Sequence, residues 1–165
     1  MYKLFEALDK IRPVETADAH CDIPCGIYDP SGAQIAALTV VRMIDLMNEL
    51  GQKHNPDDLE YKNSMTRYIL VKEEHGEKVK HEIRVIWGDY FKQQHMDKFP
   101  DTANLVHKIY ELASKSRQTA NRDNAVQLVE AVNQFAEIFW QTKNISTKRA
   151  KAPYAPALEV VYPNL

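Results

Sequence analysis

Cysteine is scarce in this chain, with only Cys21 and Cys25 among 165 residues. Two are too few for a disulfide scaffold, and reducing compartments keep such pairs as thiols, so a cytoplasmic protein with a metal or redox use for its sulfur is expected. An excess of either charge is also missing: 21 Lys and Arg stand against 23 Asp and Glu, for a formal net charge of -2 and a pI near 6.3. That balance argues against a nucleic-acid partner and favours small molecules or proteins. No apolar run approaches the length of a membrane span, and the first nineteen residues lack the apolar stretch of a secretory signal, so neither membrane insertion nor export is expected. Ala17-Asp18-Ala19 nevertheless has the small-residue character of a protease cleavage site. There is no internal repeat.

What is present is enough for one globular domain with a real core: 44% of residues are hydrophobic and 27% charged. Leu4, Phe5, Leu8 and Ile11 predict a short amphipathic helix over 2–11 that Pro13 ends, and Val14 to Ala19 reads as an exposed linker. The cysteine segment follows as a loop, because Pro24 and Pro30 lack amide donors and Gly26 permits backbone angles that a helix refuses. Ala36, Val40, Met43, Met47 and Leu50 form a helical stripe from Ser31, with Gly51 suited to the position just past its end. A second helix is expected from Asp57 to about Trp87, with an apolar face through Tyr61, Met65, Tyr68 and Ile69 that resumes at Val79, Ile83, Ile86 and Tyr90, weakened at Gly76 and loosened at Gly88. Pro100-Asp101-Thr102 opens a third, with Leu105, Ile109 and Leu112 in register. Asn121 to Lys143 gives a fourth through Leu128, Val132, Phe135 and Phe139. Four amphipathic helices without alternating strand patterns predict an all-α fold, an antiparallel four-helix bundle. Beyond Asn144 the composition shifts to Lys148, Arg149 and Lys151 and then Pro153, Pro156 and Pro163, an extended arm that packs through Leu158, Val160 and Val161.

The chemistry concentrates in His20-Cys21-Asp22-Ile23-Pro24-Cys25-Gly26-Ile27-Tyr28-Asp29-Pro30. Two sulfurs four positions apart, with an imidazole beside the first, can converge on one metal ion without help from a distant part of the fold. Thiolates completed by nitrogens in a plane suit nickel(II), whereas a tetrahedral sulfur and nitrogen set suits zinc. If His20 begins the mature chain, its α-amine, its imidazole and the next backbone amide all lie next to Cys21. The residues alone leave three readings open: a nickel centre, a non-catalytic zinc-binding helical protein, and a thiol-redox switch formed by Cys21 and Cys25. His54, His75, His81, His95 and His107 lack the spacing of bundle metal ligands and read as surface or satisfied histidines. Trp87, Phe139 and Trp140 read as core or subunit contacts.

The segment from His20 to Pro30 resembles the start of the mature nickel superoxide dismutases, His-Cys-Asp-x-Pro-Cys-Gly-x-Tyr-Asp-Pro, at every fixed position. The resemblance extends through Trp87-Gly88-Asp89-Tyr90-Phe91-Lys92 and Ile138-Phe139-Trp140-Gln141-Thr142-Lys143. It implies an enzyme that converts superoxide to dioxygen and hydrogen peroxide, with one nickel ion per chain cycling between Ni(II) and Ni(III). His20 would supply its amine and, when oxidised, its imidazole; Cys21 its thiolate and amide nitrogen; Cys25 the second thiolate. Tyr28 and Tyr90 would stand at the mouth of the site. Ala36 and His75 occupy positions where some members carry a glutamate and an arginine. The resemblance also implies a homohexamer and a maturation protease cutting between Ala19 and His20. The expected division is a pro-sequence (1–19), a nickel-binding hook (20–30), a bundle (31–144) and a tail (145–165) to which the resemblance does not extend.

Overall fold

The computed structural model describes residues 26–165; the helix expected over 2–11, its linker, and His20, Cys21 and Cys25 lie outside them. Four long helices form the bundle: α1 (Ser31–Lys53), α2 (Leu59–Val85), α4 (Thr102–Gln118) and α5 (Arg122–Thr142). A short α3 (Gln93–Lys98) bridges α2 and α4. Helices α1, α2, α4 and α5 pack as a ring in which each touches its two neighbours. The shared core holds Leu38, Val40, Val41 and Ile44 from α1, Val79 and Ile83 from α2, Val106, Ile109 and Leu112 from α4, and Leu128, Val132, Phe135 and Phe139 from α5. Each such side chain contributes about 1.5–3 kcal/mol by leaving water, so this core is the main source of stability.

The helix boundaries have local causes. Helix α1 runs through Gly51 rather than stopping there, and its end at Lys53 lies where Pro56 bars the preceding residue from helical angles. At the start of α5, the Asn121 side chain accepts a hydrogen bond from the Asn124 amide at 3.1 Å, satisfying one of the amides that a helix start leaves unpaired. At its end, Asn144 turns left-handed with φ 58°, its amide donates to the Gln141 carbonyl at 3.1 Å, and the Ile145 amide reaches back to the Trp140 carbonyl at 3.0 Å. That pair of bonds is a Schellman motif, which ends the helix at Thr142 with Lys143 as its cap.

The inward face of α2 differs from the expected one. Ile69 is 40% exposed, while Lys72 is 3% exposed and Gly76 is buried. Helical rotation carries the stripe from Met65 and Tyr68 to Lys72, Gly76, Val79 and Ile83, so a lysine and a glycine occupy core-facing positions that hydrophobicity alone assigns to isoleucine. The Lys72 ammonium donates to Glu73 at 2.9 Å, to the Ser116 carbonyl at 3.0 Å and to the Arg117 carbonyl. It thereby caps the C-terminus of α4, where a cation is favoured by the helix dipole. Gly76 gives Arg117 room to cross: a Cβ there would come within 2.5 Å of the Arg117 Cγ, and the guanidinium pairs with Glu73 and Glu77.

The arm after Asn144 folds back on itself. Strands β1 (Thr147–Lys151) and β2 (Glu159–Pro163) pair antiparallel with Arg149 opposite Val161. The Ala152 amide bonds the Leu158 carbonyl at 2.9 Å and the Asn164 amide the Ser146 carbonyl at 2.8 Å. Alternation along an antiparallel pair then turns the backbone groups of Glu159 and Val161 outward, away from β1. Bundle side chains meet them there. Gln34 on α1 donates to the Val161 carbonyl at 3.1 Å and to Asn133 Oδ1 at 3.0 Å, and Asn133 on α5 accepts from the Val161 amide at 3.3 Å while donating to the Glu159 carbonyl at 2.8 Å. Val160 and Val161 are buried. Arg149 fastens β1 from outside by pairing with Glu130 and Glu137, each at 2.7 Å.

Candidate metal centre and its aromatic mouth

The described chain begins at Gly26, whose φ of 73° is the left-handed conformation open to glycine at no steric cost. Ile27 is 79% exposed, and Tyr28 then turns in toward the bundle as a half-buried residue. Asp29 closes the turn by accepting a hydrogen bond from the Ser31 amide at 2.7 Å, and Pro30 is buried at the head of α1. The residues just after Cys25 are thus fixed to the bundle by Tyr28 and Pro30.

Tyr90 arrives by a different route. After Val85 the helix widens into a π-helical turn, Ile86–Tyr90, in which the Phe91 amide bonds the Ile86 carbonyl at 3.2 Å. The wide turn accommodates one extra residue. Phe91 therefore lies one turn below Ile86 and is buried, while Tyr90 is left half-buried beside it. A continued α-helix would have given the core-facing place to Tyr90.

The two expected mouth residues meet. The rings of Tyr28 and Tyr90 lie 5.6 Å apart, inclined at 51°. Around Tyr90 are Phe139 at 4.9 Å, Phe91 edge-on at 5.6 Å, and His95 stacked at 5.1 Å with planes 14° apart. Such pairs are worth about 0.5–1.5 kcal/mol each beyond the area they bury. The Lys143 ammonium sits 4.9 Å from the centre of the Tyr90 ring, a cation–π contact. The Tyr90 hydroxyl lies 2.6 Å from Thr142 Oγ1.

Sequence reasoning singled out neither Thr142, Lys143 nor His95 as functional. Their presence inside the Ile-Phe-Trp-Gln-Thr-Lys segment was a usable signal for Thr142 and Lys143. His95 depends on α3, which carries no amphipathic pattern and was not expected. Ala36 is buried in the core, and His75 directs Nδ1 at the Val71 carbonyl one turn back, at 2.9 Å. Trp87 and Trp140 are half-buried against the core.

A helical bundle whose first helix is preceded in sequence by two cysteines and a histidine, beside an aromatic cluster, fits the class of helical metalloproteins. The donor chemistry suits nickel: two thiols and a histidine within six residues, soft and nitrogen donors of the kind that ion takes. A family model for nickel-containing superoxide dismutase matches residues 15–143. The chain is 34% identical over 131 residues to the nickel superoxide dismutase of Streptomyces coelicolor and 32% identical over 131 residues to that of Streptomyces seoulensis, covering 79% of this chain and 93% of the relative in both cases. A native nickel superoxide dismutase structure superposes with a TM-score of 0.66 at 34% identity, over 76% of this chain and 99% of that one. The chain belongs to the nickel-containing superoxide dismutase family. It is an oxidoreductase acting on superoxide with nickel as its cofactor, and the zinc-binding and thiol-switch readings are without support.

Proposed function

We propose that this enzyme is made as a precursor, that removal of Met1 to Ala19 frees the His20 amine, and that His20, Cys21 and Cys25 then hold one nickel ion per chain in the hook formed by residues 20–30. The ion supplies one-electron chemistry, cycling between Ni(II) and Ni(III) at a potential that thiolates and an anionic amide bring between the two superoxide couples. The remaining work falls to the chain. Tyr28 and Tyr90 narrow the approach so that only a small anion and water pass, and the Lys143 cation beside them favours an anion at the entrance. The observation that carries this reading is the Tyr28–Tyr90 pair, 5.6 Å apart, built from the third residue after Cys25 and from the π-helical turn that ends the neighbouring helix α2.

The same reading includes a cytoplasmic homohexamer, supported by the family resemblance and the sparing use of cysteine, in which closed symmetry shields the hooks. The bundle then spans 31–144 and the tail 145–165. No helix among the described residues is long and apolar enough to cross a membrane. Intact-mass measurement of the purified enzyme, native and denatured, tests these points together. The expected result is a subunit beginning at His20, one nickel per subunit, and a six-subunit particle. Cys21→Ser is expected to abolish both the sulfur-to-nickel charge-transfer absorption and superoxide turnover. Full activity from an uncut chain, or from the Cys21 variant, would refute the ligand assignment.

A further inference from the structure

Two short contacts at the end of α5 fix the direction of a hydrogen-bond chain. Thr142 Oγ1 lies 2.6 Å from the Phe139 carbonyl and 2.6 Å from the Tyr90 hydroxyl. A carbonyl only accepts, and a threonine hydroxyl has a single hydrogen. That hydrogen must therefore point at Phe139, because two oxygens cannot stay at 2.6 Å without a proton between them. The Tyr90 hydroxyl is then the donor and Thr142 the acceptor.

We propose that Thr142 is a positioning residue for Tyr90, spending the phenol's hydrogen on the end of α5 so that Tyr90 meets water and substrate at the mouth only as an acceptor. This rests on the placement of Tyr90 at the mouth argued above. With its hydrogen committed, the phenol oxygen offers only lone pairs, so the two protons consumed in making hydrogen peroxide come from another source. The surroundings hold this arrangement. The Schellman motif at Asn144 sets where Thr142 and Lys143 fall in the last turn, Lys143 and Phe139 lie against the Tyr90 ring, and His95 stacks on it. The His95 ring is itself oriented by the Lys92 amide, which donates to Nδ1 at 3.2 Å.

The test uses the full chain. In Raman spectra the tyrosine Fermi doublet gains intensity in its lower-frequency member when the phenol donates a hydrogen bond, and subtracting the spectrum of a Tyr90→Phe counterpart isolates Tyr90. The difference spectrum is expected to show a donor in the native chain, to lose that signature in Thr142→Val and to keep it in Thr142→Ser. In processed, nickel-loaded enzyme, Thr142→Val is expected to lower turnover about two- to tenfold, the worth of one neutral hydrogen bond, at unchanged nickel content, with Thr142→Ser restoring it. A donor signature that survives in Thr142→Val overturns the proposal, as does loss of the signature in Thr142→Ser, which also serves if the valine variant fails to fold. Full turnover in Tyr90→Phe with the native donor signature intact instead defeats the mouth assignment itself, so the two failures are distinguishable.

Discussion

Replacing Asn133 with leucine isolates the device that holds the C-terminal hairpin. Asn133 is 1% exposed, and its side-chain amide serves Gln34, the Val161 amide and the Glu159 carbonyl. Leucine branches at Cγ as asparagine does and is larger, so none of the loss comes from a cavity. The Val161 amide is left buried without an acceptor, at a cost of about 1–3 kcal/mol. The bonds to Gln34 and Glu159 are worth about 0.5–1.5 kcal/mol each, and both partners keep an alternative: Gln34 still donates to the Val161 carbonyl, and Glu159 is exposed. The expected total is about 2–5 kcal/mol. Because the hairpin meets the bundle through a limited set of contacts, the loss falls on local opening of 147–163. At about 1.4 kcal/mol per tenfold, the strand amides of Lys148, Ala150, Val160 and Tyr162 lose roughly thirtyfold or more of their protection against hydrogen exchange, while core amides of α1 and α5 keep theirs. Protection of the strand amides reduced by less than about fivefold would refute the reasoning, and an equal reduction throughout the bundle would show that the hairpin does not open as its own unit.

Arg149 hydrogen-bonds Glu130, and this bond, more than any other influence, holds the Glu130 carboxyl below its ordinary value of 4.5. A depressed carboxyl stabilises the fold above its unfolded-state pKa and loses that contribution as pH falls through the folded value. Hairpin stability, read from the same strand amides, should therefore decline as pH drops below about 4.5, and Arg149→Ala should flatten that decline while costing less than about 1 kcal/mol at neutral pH, since the pair is partly exposed. Lys72→Met should lower stability in urea titrations by about 1–3 kcal/mol despite the added apolar surface, because two carbonyls at the end of α4 lose their donor; an unchanged or raised midpoint would refute the capping role. Gly76→Ala should bring no gain in the native background, where Arg117 fills the space, yet stabilise an Arg117→Ala background by about 1 kcal/mol; simple additivity in that double-mutant cycle would show that the two side chains do not compete.

The sequence carried the bundle because core packing obeys helical spacing: Val40, Val79, Ile109, Val132 and Phe139 stand where the 3.6-residue repeat puts them, and all are buried. It failed where a polar group does the work of an apolar one. Lys72 and Gly76 face inward because α4 needs a cap and Arg117 needs room, and neither need shows in α2 read by itself. The hairpin was hidden for a similar reason, since Thr147-Lys148-Arg149-Ala150-Lys151 has no alternating apolar pattern and the outer edge of β2 is bonded by Gln34 and Asn133 side chains. Tyr28 and Tyr90, whose rings meet, were legible through the motifs that contain them. The surroundings of Tyr90 were not, because they depend on a short helix without periodicity and on the one turn that departs from α-helical geometry.

That departure matters beyond the tyrosine. Upstream, Ile83 and Ile86 key the helix to one rotational frame; downstream, Phe91 keys the chain to another, and the five-residue loop of hydrogen bonding reconciles them. A chain shortened by one residue at Gly88 is expected to close into an ordinary turn with both frames preserved, whereas the same deletion two turns earlier rotates Ile83 and Ile86 relative to the inward side chains before them. The molecule thus keeps its tolerance for changes of length directly beside the Tyr28–Tyr90 pair.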